Sequence, residues 1–172
     1  MNRAIFLDRD GTINQLKDWQ KYVCNIQDVK LNKNVKETLK KLKDLWYKLI
    51  VITNQTWVGA WYYTQEQAEK VNQEIEKQLW FKFDKIYSCY HHPDENCECR
   101  KPWIKNIQKA IQDFDIDVKK SYFVWDKEKD IQTWKNAWCK WTILLWNENL
   151  KKFNIQPDFI IKDFKEILDI ID

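Results

Sequence analysis

The sequence predicts an α/β fold, a Rossmann-like three-layer α/β/α sandwich with a mostly parallel sheet. Short apolar runs alternate along the chain with segments whose apolar residues recur at helical spacing. This alternation is typical of a parallel sheet with helices on both faces. Several apolar runs end abruptly in polar residues, as strands do when the loops at their carboxyl ends carry a site. No linker, repeat or low-complexity segment interrupts the 172 residues, so we expect one domain, residues 1–172.

Each predicted element has its own local signal. The first strand is the apolar run AIFL, which the polar DRDGT follows directly, and the run KLIVIT before Asn54 and Gln55 is the second. The helix at 64–79 opens with the capping-box pair Thr64 and Gln67. In chain order, the predicted strands are residues 4–7, 48–53, 83–89, 121–124, 142–145 and 158–161. The predicted helices are residues 34–45, 64–79, 104–114, a short helix reaching about residue 137, and a terminal helix ending near residue 171.

The composition excludes several functional classes. The formal net charge is only +3, and lysines alternate with acidic residues, which is typical of solvated surfaces and unlike a nucleic-acid-binding face. No apolar run approaches the ~20 residues of a membrane-spanning helix, and the first residues, MNRAIFLDRDGT, lack the pattern of a signal peptide. The sequence therefore predicts a cytoplasmic monomer that binds neither nucleic acid nor membranes.

Asp8 and Asp10 lie directly after the first predicted strand. Two carboxylates at this spacing suit Mg²⁺, and a carboxylate can attack phosphorus to form an aspartyl-phosphate. The second carboxylate can protonate the leaving oxygen and then deprotonate water. Gly11 gives the following turn its conformational freedom. Because such a pair also fits a helix cap or a surface turn, its interpretation depends on the other polar groups of the chain.

Polar side chains follow three of the predicted strands. They are Asp8 and Asp10 after the first strand, Thr53 and Asn54 at the end of the second, and Asp126 after the strand at 121–124. Ligands of an open parallel sheet bind beyond the carboxyl ends of its strands, so we expect these groups to converge. Arg100 and Lys101 add positive charge from a fourth segment.

Four motifs together carry a family resemblance. FLDRDGT, VITNQ, RKP and VWDKEKD occur in the order of the motifs of the haloacid dehalogenase superfamily of phosphatases, which the chain resembles over about residues 3 to 146. TNQTWVGAWYYT and CYHHPDENCECRKP resemble its branch of D-glycero-D-manno-heptose 1,7-bisphosphate phosphatases. That branch is similar to the histidinol-phosphate phosphatases.

The resemblance implies a role for each matching residue. It makes Asp8 the nucleophile and Asp10 the general acid and base. It implies Mg²⁺ binding by Asp8, by the backbone carbonyl of Asp10 and by Asp126. Thr53 and Lys101 would stabilise the transferring phosphoryl group, and the substrate contacts would be Asn54, Arg100 and Lys127. Asp130, one helical turn after Asp126, is expected to support the metal site without binding the ion.

Four residues of one loop, at about 88–102, have the types and spacing of a structural zinc site, namely Cys89, His91, Cys97 and Cys99. Three thiolates and one imidazole fill a tetrahedral Zn²⁺ shell and leave no open position. His92 is a rival ligand, but the family motif matches His91, and a cluster of free cysteines is the alternative. Such a metal would fix the loop that leads to Lys101. Cys24 and Cys139 are expected to be buried as small apolar residues.

These features predict a Mg²⁺-dependent phosphatase with a structural Zn²⁺, acting on a small phosphorylated molecule. No long insertion separates the motifs, so no large cap domain covers the site and a sugar phosphate has room. The resemblance implies removal of the C7 phosphate of heptose 1,7-bisphosphate through an aspartyl-phosphate. A histidinol-phosphate phosphatase is the nearest alternative, because the five residues between His91 and Cys97 resemble its shorter loop. A DNA 3′-phosphatase and an inactive zinc-stabilised binding domain fit the sequence less well.

The chain has 11 Trp and only 2 Gly, whereas Gly makes up about 7% of ordinary proteins. Trp46, Trp80 and Trp138 follow predicted helices, at the position where a left-handed Gly usually ends a helix. Trp57, Trp61 and Trp125 occupy positions where the resembled family has Gly, and Trp57 and Trp125 would crowd the phosphate site.

We hypothesise that most of these tryptophans stand in glycine positions. A gene from an organism that decodes UGA as glycine gives this pattern when it is translated with a table that reads UGA as tryptophan. The alternative is a tryptophan-rich face that stacks on a sugar. The hypothesis predicts positive φ angles and unusual exposure for several of Trp46, Trp57, Trp61, Trp80, Trp125 and Trp138.

Overall fold

The computed structural model describes residues 1–17, 19–138, 141–146 and 156–171. Its strands are β1 (Ala4–Leu7), β2 (Lys48–Asn54), β3 (Lys85–Cys89), β4 (Tyr122–Trp125), β5 (Trp141–Leu145) and β6 (Phe159–Ile161). Its α-helices are α1 (Val35–Asp44), α2 (Thr56–Gly59), α3 (Gln65–Leu79), α4 (Lys105–Phe114) and α5 (Glu128–Asn136). Short 3₁₀ helices cover Ile26–Asp28, Pro93–Glu95, Val118–Lys120 and Phe164–Asp169.

The described strands form one six-stranded sheet in the order β3-β2-β1-β4-β5-β6. Every neighbouring pair is parallel, which confirms the predicted parallel sheet. The last residue of β1, Leu7, pairs with Val51 of β2 and with Val124 of β4. The loops that follow β1, β2 and β4 therefore leave the sheet at the same edge, side by side.

Residues of β1 alternate between two apolar clusters, one on each face of the sheet. Ile5 and Leu7 belong to a buried cluster with residues of α1, α3 and the 3₁₀ helix Phe164–Asp169. Ala4 and Phe6 belong to the other buried cluster, which includes residues of α4 and α5. Since successive side chains of a strand point to opposite faces, both layers of helices cover the sheet and complete the predicted three-layer sandwich.

Most element boundaries differ from the sequence prediction by one or two residues, and the short helix α2 (Thr56–Gly59) was not predicted. The third strand begins at Lys85 instead of residue 83, because Asp84 turns its carboxylate to the backbone N–H of Leu49 (2.9 Å) and to the ammonium of Lys48 (2.9 Å). The predicted terminal helix is a 3₁₀ helix that begins at Phe164 and ends at Asp169. Asp163 caps it by accepting a hydrogen bond from the N–H of Lys165.

Nothing in the described part of the chain forms a large cap over the sheet edge. The segment between β1 and α1 contains one short 3₁₀ helix, Ile26–Asp28, among its described residues. No helix among the described residues has both the length and the apolar character to cross a membrane. Cys24 is half-buried instead of buried, and Cys139 lies outside the described residues.

The backbone confirms the prediction of positive φ at several tryptophans. Trp46 (64°), Trp61 (63°), Trp80 (68°) and Trp138 (59°) adopt left-handed conformations, although few non-glycine residues do so. Their side chains are 87, 93, 86 and 85% exposed, respectively. Trp57 and Trp125 are not among the residues with positive φ. Trp125 is buried with Phe123 and Phe6 in the core, so the expectation that it crowds the phosphate site is wrong.

Candidate active site

The carboxylates of Asp8 and Asp10 follow β1 and are both buried. The N–H of Asp8 donates to the carbonyl of Val124 (3.0 Å), which extends the pairing of β1 with β4 by one residue. The Asp8 carboxylate in turn accepts the N–H of Arg9 (2.7 Å). These two hydrogen bonds fix the backbone and the side chain of Asp8 at the sheet edge.

The buried ammonium of Lys101 lies between two carboxylates. Its Nζ atom is 3.1 Å from Asp8 Oδ2 and 2.9 Å from Asp130 Oδ1. Burial alone would raise the pKa of Asp8, but the charges of Lys101 and Lys127 and the N–H of Arg9 bring this pKa below its ordinary value. Burial would likewise lower the pKa of Lys101, yet Asp130 and Asp8 raise it. Both groups are therefore charged at neutral pH.

Three acidic side chains converge at the end of β4 and the start of α5. One carboxylate oxygen each from Asp8, Asp126 and Asp130 lies within 4.8 Å of the others. Burial, together with the charges of Asp8 and Asp130, raises the pKa of Asp126 to about 7. Lys101 is paired with Asp8 and Asp130, so a second cation beside Asp126 would relieve the remaining repulsion. The carboxylates of Asp8 and Asp126 fit Mg²⁺.

Gly11 is required beside Asp126. Its φ is +89°, and a Cβ atom placed on it would lie 2.0 Å from Asp126 Oδ2. Thr12 also reaches this carboxylate, with its hydroxyl 3.5 Å from Oδ1. The ammonium of Lys127, the residue after Asp126, lies 3.8 Å from Asp126 Oδ2. The Gly11 turn therefore packs directly against the candidate metal site.

The Asp10 carboxylate accepts hydrogen bonds on both of its oxygens. Oδ2 accepts from Arg9 Nη2 (2.8 Å) and from Gln55 Nε2 (2.7 Å). Oδ1 accepts from Asn14 Nδ2 (3.2 Å) and from the N–H of Val23 (3.3 Å). Groups from the loop after β1, from the segment before α1 and from the residue after β2 thus meet on a single carboxylate.

Thr53 and Asn54 end β2, and both are buried. The Thr53 hydroxyl oxygen accepts a hydrogen bond from Gln55 Nε2 (2.8 Å). The Asn54 amide pairs in both directions with the backbone of Lys101, since Oδ1 accepts the Lys101 N–H (3.0 Å) and Nδ2 donates to the Lys101 carbonyl (3.1 Å). Asn54 therefore holds the segment that presents the Lys101 ammonium to Asp8.

All four predicted catalytic residues line one small cavity of about 10 Å³ at the carboxyl edge of the sheet. Its lining consists of Asp8, Asp10, Tyr22, Thr53, Asn54, Lys101 and Lys127. Arg100, which we predicted to contact substrate, is half-buried and is not among these residues. A larger groove of about 460 Å³ lies along the outer edge of β3. It contains none of the predicted catalytic residues, so we assign the chemistry to the smaller cavity.

The four predicted zinc ligands lie together at the end of β3. Cys89 Sγ is 3.4 Å from Cys97 Sγ, and His91 Nδ1 is 3.6 Å from Cys89 Sγ and 3.2 Å from Cys99 Sγ. All four ligand atoms lie within 4.8 Å of one another. Tetrahedral zinc with the usual bond lengths separates two sulfur ligands by about 3.7 Å, so this donor set fits Zn²⁺. His92 instead accepts the N–H of Asp94 (3.3 Å).

The cysteine–histidine loop is joined to the phosphate-site residues by backbone contacts. The carbonyl of Cys89 accepts the N–H of Gln55 (2.8 Å), and a Cβ atom on Gly59 of α2 would lie 2.2 Å from the backbone nitrogen of His92. The carbonyl of Cys99 accepts a hydrogen bond from Asn106 of α4 (3.1 Å). A metal in this loop would therefore also restrain the backbone that carries Thr53 and Lys101.

Sequence reasoning missed several residues of the site. Gln55 belongs to the VITNQ motif. The motif placed it at the end of the second predicted strand, but it did not predict a role for the side chain. Tyr22, Asn14 and Val23 lie in a segment without periodicity, and nothing in their local sequence points to the cavity or to Asp10. Only the folded chain brings them there.

Comparisons with known proteins agree with this geometry. A family model described as "Haloacid dehalogenase-like hydrolase" matches residues 3–144. A D-glycero-beta-D-manno-heptose-1,7-bisphosphate 7-phosphatase of Helicobacter pylori is 41% identical over 99% of this chain and 98% of its own length. A D-glycero-alpha-D-manno-heptose-1,7-bisphosphate 7-phosphatase of Campylobacter jejuni is 37% identical over 96% of this chain and 94% of its own length.

A solved structure has the same fold. The D,D-heptose 1,7-bisphosphate phosphatase from B. bronchiseptica, complexed with magnesium and phosphate, matches with a TM-score of 0.86 at 21% identity. The match covers 98% of this chain and 97% of that protein.

Proposed function

Because the chain belongs to the haloacid dehalogenase-like hydrolase family, we propose that it removes the 7-phosphate of D-glycero-D-manno-heptose 1,7-bisphosphate through an aspartyl-phosphate on Asp8. The single observation that carries the mechanism is the buried Asp8 carboxylate, held 3.1 Å from the Lys101 ammonium beside Asp126. The substrate class rests on the names of full-length relatives at 37–41% identity.

Asp8 is prepared to act as the nucleophile. Lysine charges and the Arg9 N–H keep its carboxylate ionised, so an oxygen lone pair is available to attack phosphorus. Asp8, Asp126 and the backbone carbonyl of Asp10 would hold Mg²⁺, which would supply positive charge to neutralise the phosphoryl oxygens. Attack forms the bond from Asp8 to phosphorus and breaks the bond from phosphorus to the sugar oxygen.

Asp10 is the proposed proton carrier. It gives a proton to the sugar oxygen as that oxygen leaves, and then takes one from the water that hydrolyses the aspartyl-phosphate. Thr53 and Lys101 line the same cavity, where a hydroxyl and an ammonium can donate hydrogen bonds to the phosphoryl oxygens. Donors placed where negative charge develops lower the barrier, because they need no rearrangement during the reaction.

Substrate contacts are assigned to Asn54, Arg100 and Lys127. Lys127 and Asn54 line the cavity, and the ammonium of Lys127 is the more available of the two because the Asn54 amide is paired with the Lys101 backbone. Arg100 lies next to Lys101 in sequence but outside the cavity lining. Its contact would be with the part of the substrate that extends beyond the phosphate.

Cys89, His91, Cys97 and Cys99 are the proposed ligands of a structural Zn²⁺. The close approach of their ligand atoms supports this assignment, and four protein ligands leave no position for substrate. Thiolates that bind zinc are consistent with a reducing compartment such as the cytoplasm, where a sugar phosphate is also the expected kind of partner.

The test is phosphate release by the purified chain in the presence of Mg²⁺. Heptose 1,7-bisphosphate of either anomer should be hydrolysed faster than histidinol phosphate or a DNA 3′-phosphate, with kcat/KM as the measure. Both anomers should be compared, because the Helicobacter pylori relative is named for the beta anomer and the Campylobacter jejuni relative for the alpha anomer. Faster hydrolysis of histidinol phosphate would reassign the substrate. No release from any of these compounds would leave an inactive zinc-stabilised domain as the better explanation.

A further inference from the structure

Gln55 is a buried residue that connects the proposed proton carrier with a phosphoryl-binding residue. Its Nε2 atom donates to Asp10 Oδ2 (2.7 Å) and to the hydroxyl oxygen of Thr53 (2.8 Å). Its Oε1 atom accepts hydrogen bonds from Arg9 Nη2 (2.7 Å) and from the hydroxyl of Tyr63. The side chain is fully buried, so these four neighbours satisfy its amide without water.

The orientation of the Gln55 amide is fixed by chemistry. An arginine can only donate hydrogen bonds, so the amide oxygen of Gln55 must face Arg9. The amide nitrogen then faces Asp10, as observed. Rotating the amide by 180° would place its oxygen against the carboxylate of Asp10 and its nitrogen against the guanidinium of Arg9.

Arg9 is itself held in place from several sides. Its Nε and Nη2 atoms both donate to Asp10 Oδ2 (3.2 and 2.8 Å), and Nη1 donates to Asn72 Oδ1 of α3 (2.9 Å). Nη2 also donates to the carbonyl of Val23 (3.1 Å). The guanidinium is buried and cannot turn without breaking these contacts. Arg9 thus connects α3 with Gln55 and Asp10 through hydrogen bonds.

We propose that Gln55 is a positioning residue that holds the Asp10 carboxylate in a fixed position relative to the Thr53 hydroxyl. This inference rests on the proposed function, in which Asp10 protonates the leaving oxygen while Thr53 binds the phosphoryl group. One amide nitrogen joins the two residues. The distance between the proton donor and the phosphoryl-binding hydroxyl therefore depends on a side chain that contacts both.

The test compares two substrates with the Gln55→Met variant. A simple alkyl phosphate expels a basic alkoxide and needs a proton from Asp10, whereas p-nitrophenyl phosphate expels a weakly basic phenolate and needs none. Because kcat/KM covers only the steps through release of the leaving group, it isolates this proton transfer. We expect kcat/KM to fall by about 10- to 100-fold for the alkyl phosphate. For the aryl phosphate it should fall by less than about 3-fold.

Two further variants complete the design. Gln78→Met removes a half-buried amide of α3 that donates to the carbonyl of Val29 (3.2 Å), and it should leave both kcat/KM values unchanged. Tyr63→Phe removes only the hydroxyl on Gln55 Oε1, and it should weaken alkyl phosphate turnover selectively but less than Gln55→Met. If Gln55→Met shows no thermal unfolding transition and therefore does not fold, the kcat/KM values of Tyr63→Phe for the two phosphates test the proposal.

Equal losses for both phosphates, or no loss for either, would overturn the positioning role while leaving the proposed function intact. Failure of the unsubstituted chain to release phosphate from heptose 1,7-bisphosphate with Mg²⁺ would overturn the proposed function, and the inference about Gln55 with it.

A second inference rests on the ends of the helices. At the end of α1, Trp46 N–H donates to Lys43 O (3.0 Å) and Tyr47 N–H to Leu42 O (3.1 Å). This is the hydrogen-bond pair of a Schellman motif, with Trp46 at the left-handed position that glycine normally occupies. At the end of α2, Trp61 N–H donates to Val58 O (3.0 Å) and Tyr62 N–H to Trp57 O (2.9 Å), which is the same pair.

Two other helices end in a related way. Trp80 N–H donates to Glu76 O (3.0 Å) at the end of α3, and Trp138 N–H donates to Lys135 O (3.2 Å) at the end of α5. Two tryptophans in the core are also unusual. The indole N–H groups of Trp125 and Trp134 are buried without a hydrogen-bond partner, whereas a buried indole normally has one.

We infer that these tryptophans occupy glycine positions of the fold, and that the gene carries UGA codons there, which its own organism reads as glycine. Backbone geometry selects glycine at the four helix ends, because a Cβ atom is penalised in the left-handed region. The unpartnered indoles of Trp125 and Trp134 point the same way. Neither observation depends on the enzymatic function.

The codons give the direct test, and stability gives a physical one. UGA at these positions, with glycine in tryptic peptides of the protein from its source organism, is the expected result, and UGG codons would overturn the inference. In the recombinant chain, each of Trp46→Gly, Trp61→Gly and Trp80→Gly should raise Tm by roughly 2–4 °C. Trp103→Gly, at an exposed site without positive φ, should give no increase. Equal or lower Tm in all three helix-end variants would contradict the assignment.

Discussion

The charge of Asp8 depends on neighbours that are far away in the sequence. Lys101 approaches from the loop after β3 and Lys127 from the segment after β4. Together they overcome the effect of burial on the pKa of Asp8, which alone would favour the protonated, non-nucleophilic form. The same Lys101 ammonium also contacts Asp130 (2.9 Å), which explains how a buried lysine keeps its charge.

Asp8→Asn should abolish turnover without unfolding the protein. An amide is a poor nucleophile, so phosphate release should fall by about 10³-fold or more. The amide is nearly isosteric with the carboxylate and still offers an oxygen to the Arg9 N–H. Phosphate release and the thermal transition should be measured on the same preparation. Phosphatase activity close to that of the unsubstituted chain would contradict the covalent mechanism.

The elements around the site are coupled through the loop between β3 and α4. The end of β3 carries Cys89, whose carbonyl accepts the N–H of Gln55 after β2, and the loop then reaches Lys101, which Asn54 of β2 holds by its backbone. A structural metal in this loop would therefore stabilise the position of Lys101 without contacting the substrate.

Cys97→Ser should remove the zinc and lower stability before it changes the chemistry. A hydroxyl replaces one of three thiolates, so bound zinc per chain, measured by atomic absorption, should fall towards zero and Tm should fall by several degrees. Cys24→Ser is the matched control, because Cys24 is half-buried and lies outside the cluster. Full zinc content in Cys97→Ser, or its absence from the unsubstituted chain, would refute the site.

At the scale of the whole molecule, three strands and a loop bring polar and charged side chains to one sheet edge. The parallel order places β1 between β2 and β4, so the segments after these strands are necessarily neighbours. Three of the acidic groups approach so closely that burial and mutual repulsion raise the pKa of Asp126 to about 7. Folding without a cation therefore works against this repulsion.

Mg²⁺ should stabilise the folded chain measurably. At 100 times its Kd the ion contributes about 2.7 kcal/mol, which corresponds to a Tm increase of roughly 5–10 °C for a chain of this size. Asp126→Asn should lose most of this increase. Glu66→Gln, which changes an exposed acid of α3 paired with Lys70, should keep it. A Tm independent of Mg²⁺ in the unsubstituted chain would contradict the proposed site.

The sequence by itself determined the features that local patterns encode. Alternating apolar runs and helical repeats predicted the parallel three-layer fold, since burial of one face imposes those periods. The spacing of the cysteines and His91 predicted the cluster at the end of β3, because its ligands are close along the chain. The three tryptophans just past predicted helices indicated left-handed backbone, and all three adopt it.

The partners of each polar side chain were decided only by the tertiary structure. Asn54 and Lys101 are 47 residues apart, and Asp10 and Gln55 are 45 apart. No local period specifies contacts at such separations, because they depend on the order of strands in the sheet. The same is true of Tyr22, which reaches the cavity from a segment without regular structure. The motifs thus predicted the chemical groups of the site, and the strand order determined which of them are in contact.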